Sequence, residues 1–189
     1  MSGVTRYHPA LVVVHWAMAV LILADLALGT AKLAHIPNDS PEKVNALLKH
    51  GSAGLLILLM MLTRILLRAK TERPAPASTG SRFLDRLAWV SHRAFYVAIV
   101  GMLVSGIGMA VQVHLVDVIV SQGGHLPETF WAFPLRYVHY FFSRVLLGLV
   151  ALHVAAVLYH TIFKRDRLLT RMSLGPRTVA KQAVSALER

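Results

Sequence analysis

The stretch YVHYFFSRVLLGLVALHVAAVLYHTIF, residues 137–163, decides the fold. It contains no proline, and Arg144 is its sole Lys, Arg, Asp or Glu. A hydrocarbon core of about 30 Å is crossed by roughly 20 helical residues, so this run is long enough to span it. In lipid the backbone must satisfy its own hydrogen bonds, and a continuous apolar run without alternation means a helix. Working outward from it, three more such runs cover residues 11–31, 46–67 and 87–113. The fold class expected is an all-α integral membrane bundle of four transmembrane helices.

Composition agrees. The 189 residues are 56% hydrophobic and only 15% charged, yet the net charge is +11. Apolar runs separated by basic segments produce that combination; a basic soluble face does not, which argues against a nucleic-acid partner. No cysteine is present, which excludes disulfides, thiolate metal sites, Fe–S clusters and covalent c-type haem. The connections carry the chain breakers Pro37 and Pro41, then Pro74 and Pro76 with Ser78–Ser81, then Gly123, Gly124, Pro127 and Pro134. Residues 1–175 read as one transmembrane domain. Residues 176–189 read as a basic tail, either a short helix on anionic headgroups or a disordered segment. The first apolar run is too long for the core of a leader peptide and is followed by no small-residue cleavage site, so it reads as a span.

Fifteen Lys and Arg residues lie before the first run, around the second connection (from Arg64 to Arg93) or after the fourth run, against Lys32, Lys43, Lys49 and Arg136 around the other two connections. The positive-inside rule then places both termini in the cytoplasm and, in a bacterial inner membrane, the other two connections in the periplasm.

Four of the ten histidines fall inside the apolar runs: His15, His50, His139 and His153. Each taken alone is either an interhelical hydrogen-bonding group or a functional one. His139 and His153 are 14 residues apart, close to four turns, so they share a helix face about 21 Å apart. His15, at the cytoplasmic start of its helix, is level with His153, and His50 is level with His139. Two His/His pairs at two depths suit two b-type haems, because two imidazoles close both axial positions and favour electron transfer over oxygen chemistry. Zinc would want three or four ligands at one depth.

Small residues beside these histidines (Gly51, Ser52, Ala53, Gly54 and Gly148) either make room for a porphyrin or let helices pack closely. Arg64, 14 residues after His50, is a candidate partner for a haem propionate; Arg144 is another, or serves a neighbouring carbonyl. His92, His160 and Arg73, with Lys70 and Arg93, are candidates for a quinone site, since quinone reduction consumes protons and histidine can donate them. The alternative for the two histidines is solvation among headgroups. Asp25 lies inside the first helix with no evident partner. His8, His35, His114 and His125 read as solvated, and Trp16, Trp89 and Trp131 with Tyr7, Tyr96 and Tyr137 as an interfacial aromatic belt.

His15-Trp16, His50-Gly-Ser-Ala-Gly54 running on to Arg64 and Arg68, His92, the His139/His153 spacing and His160 followed by Lys164-Arg-Asp-Arg-Leu-Leu-Thr-Arg-Met172 carry a resemblance over residues 6–173. Together they resemble the bacterial cytochrome b-561 family, small four-helix dihaem b proteins that include superoxide oxidase. The resemblance implies haem ligation by His15 with His153 and by His50 with His139. It implies electron transfer from superoxide at the periplasmic face to ubiquinone near the cytoplasmic face, with His92 and His160 near the quinone. Lys43, Lys49 and Arg136 would then attract the anion. Asp25, Arg144 and the loop holding Gly123-Gly124-His125 depart from the family pattern. A second reading is a haem-b membrane subunit for a periplasmic partner enzyme, docked around Leu126–Phe133. A third, a channel or metal transporter, would carry no haem.

Overall fold

The computed structural model describes residues 3–76, 80–121, 125–166 and 168–177. Ser78 and Thr79, Gly123 and Gly124, Arg167 and the tail from residue 178 lie outside the described residues. Helix α1 runs Pro9–Ala27 and continues through a π-helical turn, Leu28–Lys32, and a 3-10 turn, Leu33–His35. Helices α2 (Pro41–Lys70), α3 (Arg82–Gln112), the short α4 (Leu115–Ser121) and α5 (Pro134–Leu158) follow. A π-helical turn, Tyr159–Lys164, extends α5, and a 3-10 turn, Leu169–Met172, comes after it. Among the described residues, four helical stretches are long and apolar enough to cross a membrane: 9–35, 41–70, 82–112 and 134–164.

These spans start earlier than hydropathy alone suggests. Pro41 and Pro134, expected as breakers within the connections, are instead first residues of α2 and α5, as Pro9 is of α1. The first helical N–H has no intrahelical acceptor, so proline loses nothing there and its fixed φ suits the helix. The Ser40 hydroxyl accepts from the Glu42 N–H at 3.2 Å and caps α2. His8, expected to be solvated, caps α1 by accepting from the Ala10 N–H at 3.2 Å. The α4 helix was not foreseen. It follows His114, whose φ of +49° ends α3 in the left-handed region.

The helices associate as two pairs, α1 with α2 and α3 with α5. Glycines explain how closely the second pair packs: a Cβ at Gly101 would collide with Phe142, and one at Gly108 with Leu135. The pairs meet through a central core of Met18, Leu26, Ile57, Met61, Ala98, Ile99 and Leu146. Outside it, Val20, Leu66, Val104, Val111 and Phe163 are all more than half exposed. That is inside-out for a water-soluble protein and ordinary for one surrounded by lipid tails, which are as apolar as the side chains themselves. The chain is a multi-pass membrane protein.

At the His15 end, the last described segment ties the bundle together. The Tyr7 N–H donates to the Arg171 carbonyl at 3.1 Å, and the Trp16 indole to the Met172 carbonyl at 2.8 Å. Arg6 donates to Ser173 Oγ at 3.1 Å, and Arg171 to the Ala75 carbonyl at 2.7 Å.

Candidate functional site

Helix α5 contributes one histidine to each end of the bundle, and each meets a ring from the other helix pair. His153 faces His15 of α1 with ring centres 6.4 Å apart and planes at 70°. His139 faces His50 of α2 at 6.0 Å and 80°. Two imidazoles bound trans to one metal through nitrogens about 2 Å from it have ring centres about 6 Å apart. Both pairs have that spacing. Among the described residues no group of three or more His, Cys, Asp or Glu could hold a metal ion, so the donors come in twos and do not suit a zinc site.

At the His50 end both ring orientations are fixed. His50 Nδ1–H donates to Asp25 Oδ1 at 2.8 Å. His139 Nδ1–H donates to the Met102 carbonyl at 3.1 Å, with Ser105 Oγ also at 3.1 Å. Ser105 is 1% exposed and its own hydrogen goes to the Gly101 carbonyl at 2.6 Å. In both rings Nε2 is thereby left as the nitrogen that can face a metal. Glycines back the two rings: a Cβ at Gly29 would lie 3.4 Å from His50 Cε1, and one at Gly106 would lie 3.3 Å from His139 Cε1.

At the His15 end the histidine pair sits among Trp16, Phe95 and His92. The His92 ring centre is 6.1 Å from that of His153, and its Nδ1 bonds to the Ala88 carbonyl at 2.6 Å. Arg64 lies near enough to act electrostatically on both His15 and His153. Of the other candidates, His160 holds Asp166, whose carboxyl that hydrogen bond keeps below its ordinary range. Arg73 is exposed beyond the end of α2. Arg144 is exposed too, its guanidinium 5.1 Å from the centre of the Tyr140 ring. Lys43, expected in a loop, is a buried residue of α2 whose ammonium donates to the Leu33 and Ile36 carbonyls at 2.8 and 2.9 Å. Arg136 stacks on Trp131 at 4.4 Å. A Cβ at Gly51 or Gly148 would meet nothing within 4 Å, so close helix contact does not account for these two glycines as it does for Gly101 and Gly108.

Asp25 gains the partner that sequence reading did not supply. The signal was depth. On an antiparallel helix pair, ten residues beyond His15 on α1 is about 15 Å along the axis, which returns to the level of His50. Met102, Ser105 and Gly106 left no such signal, because α3 carries no ionisable group beside them.

A family model described as prokaryotic cytochrome b561 matches residues 6–175. A Yersinia pestis protein described as a probable superoxide oxidase, CybB, is 26% identical over 164 residues, which cover 84% of this chain and 90% of that protein. The match takes in all four spans and every histidine of the two pairs, and the chain belongs to the prokaryotic cytochrome b561 family, membrane electron-transfer proteins that carry b-type haem.

Proposed function

We propose that the protein is a dihaem oxidoreductase that takes electrons from superoxide at the periplasmic face and delivers them to ubiquinone near the cytoplasmic face of a bacterial inner membrane. The observation that carries this reading is the two histidine pairs at 6.4 and 6.0 Å, one at each end of α5. When bound, two b haems supply one-electron steps across the bilayer. His15 with His153, and His50 with His139, would hold them, the second pair through Nε2. Arg64 would pair a propionate at the cytoplasmic end, and Arg144 one toward the other. The positive-inside charge pattern supports cytoplasmic termini, and the family match over residues 6–175 supports a single transmembrane domain over residues 1–175.

Each superoxide gives up one electron and becomes dioxygen. Two such electrons and two cytoplasmic protons convert ubiquinone to ubiquinol. His92, beside the His15–His153 pair, and His160, held by Asp166, are the groups that would pass those protons, with Arg73 at the rim. At the other face Arg136 and Lys49 would raise the local concentration of the anion. Kinship with a protein described as a probable superoxide oxidase supports the choice of donor.

The test is an absorption spectrum of the purified protein, followed by a superoxide pulse and then ubiquinone. A two-haem b spectrum, reduced by the pulse and reoxidised by the quinone, is expected. Absence of reduction by superoxide overturns the donor. Reduction by a copurifying periplasmic protein instead would make the chain the membrane subunit of that enzyme.

A further inference from the structure

The two histidine pairs differ in charge. At the His50 end a carboxylate bonds directly to one ring, with Asp25 Oδ1 2.8 Å from His50 Nδ1 and the Asp25 side chain only 11% exposed. The acceptors at His139 are neutral, a carbonyl and a hydroxyl. At the His15 end, among the described residues, no carboxylate pairs with either ring, and the nearby fixed charge is the cation Arg64. An aspartate at membrane depth is costly. A neutral imidazole offers it a hydrogen bond but no countercharge, whereas an imidazole bound to a cationic iron offers both.

We propose that Asp25 is a positioning residue that makes the His50/His139 haem the lower-potential one of the two, so that electrons entering at that end run downhill to the His15/His153 haem. This rests on the haem ligation proposed above. A carboxylate accepting from Nδ1–H makes the ligating nitrogen a stronger donor, and its negative charge favours the oxidised, more positive iron. Both effects lower the potential. Arg64 acts in the opposite sense at the other end, because a cation favours the reduced iron. Arg136 acts on His139 as Arg64 acts on His15 and His153, and Arg144 is proposed at the same end. The cations at the two ends thus offset each other, and the difference between the ends rests on Asp25, which touches a ligand ring. The gradient therefore points from the His50 end to the His15 end and gives the relay a direction.

The experiment is a redox titration of the full-length, haem-loaded protein, with Asp25→Asn, Asp25→Glu and His153→Ala variants. In Asp25→Asn both haems are retained and the lower couple moves toward the reduced form by at least tenfold in equilibrium constant, about 59 mV for one electron. The upper couple stays put. Asp25→Glu, which keeps the carboxylate, brings the lower couple back toward the wild-type value. In His153→Ala the remaining couple is the lower of the wild-type two, a result that does not depend on how well Asp25→Asn folds. The inference is overturned if both couples of Asp25→Asn are unchanged, if the upper one moves instead, or if the couple left in His153→Ala is the higher. Failure of the ligation reading looks different: His50→Ala would leave both haems in place, or the wild-type protein would bind none.

Discussion

At Gly106 a single methyl group would press on the ring of His139. The added Cβ would lie 3.3 Å from Cε1 and 3.5 Å from Nδ1, tighter than ordinary packing. The ring can give little, because Nδ1 is held by the Met102 carbonyl and Ser105. Gly106→Ala is therefore expected to tilt His139 off its axis toward His50 and to reduce haem content by up to half, with the His15-end haem retained. Pyridine haemochrome quantification against protein concentration measures this, and a haem-to-protein ratio equal to that of the wild type refutes it. The histidines themselves were legible because an ionisable group inside an apolar run stands out against its neighbours. Gly106 was not, since one glycine in a helix such as Ser105-Gly-Ile-Gly108 looks the same whether it clears a helix, a ring or nothing.

The helices were legible wherever hydropathy is the deciding physics, and their ends were not. Pro41 and Pro134 read as breakers in one dimension; only the three-dimensional start of a helix turns the missing N–H into an advantage. Lys43 shows the same limit. Sequence places it at the connection after the first helix, yet its ammonium reaches back to the Leu33 and Ile36 carbonyls where α1 unwinds through π and 3-10 turns. Helix C-termini leave carbonyls without partners, and a lysine can serve two at once. Replacing it by Met keeps the bulk and removes the donors. Lys43→Met is expected to cost about 1–3 kcal/mol, seen as a lower midpoint in thermal unfolding of the detergent-solubilised protein. A midpoint within error of wild type would mean that water at the interface satisfies those carbonyls equally well.

Over the whole molecule, the two ends of the bundle are built differently, and that difference can be separated experimentally. The His50 end is held by bonds within the membrane-spanning helices: Asp25 on His50, and Met102 on His139. The His15 end depends on a layer contributed from three distant parts of the chain. The indole next to His15 donates to the Met172 carbonyl, Tyr7 is held by Arg171, and Arg171 in turn reaches Ala75 after α2. Sequence reading found the histidines of both ends but not this layer, because its bonds go mostly to backbone carbonyls, which have no signature in composition or spacing. A chain ended after Arg167 loses those bonds while keeping all four spans and all four paired histidines. His15 then loses the anchoring of its neighbour Trp16, whereas His50 lies about 15 Å deeper, at the level of Asp25 on α1. On the proposed ligation, the truncated protein is expected to keep the His50/His139 couple unchanged while the His15/His153 couple shifts, broadens or disappears. Loss of both haems together would show that the layer holds the whole bundle, and unchanged couples would show that α1 positions His15 without it.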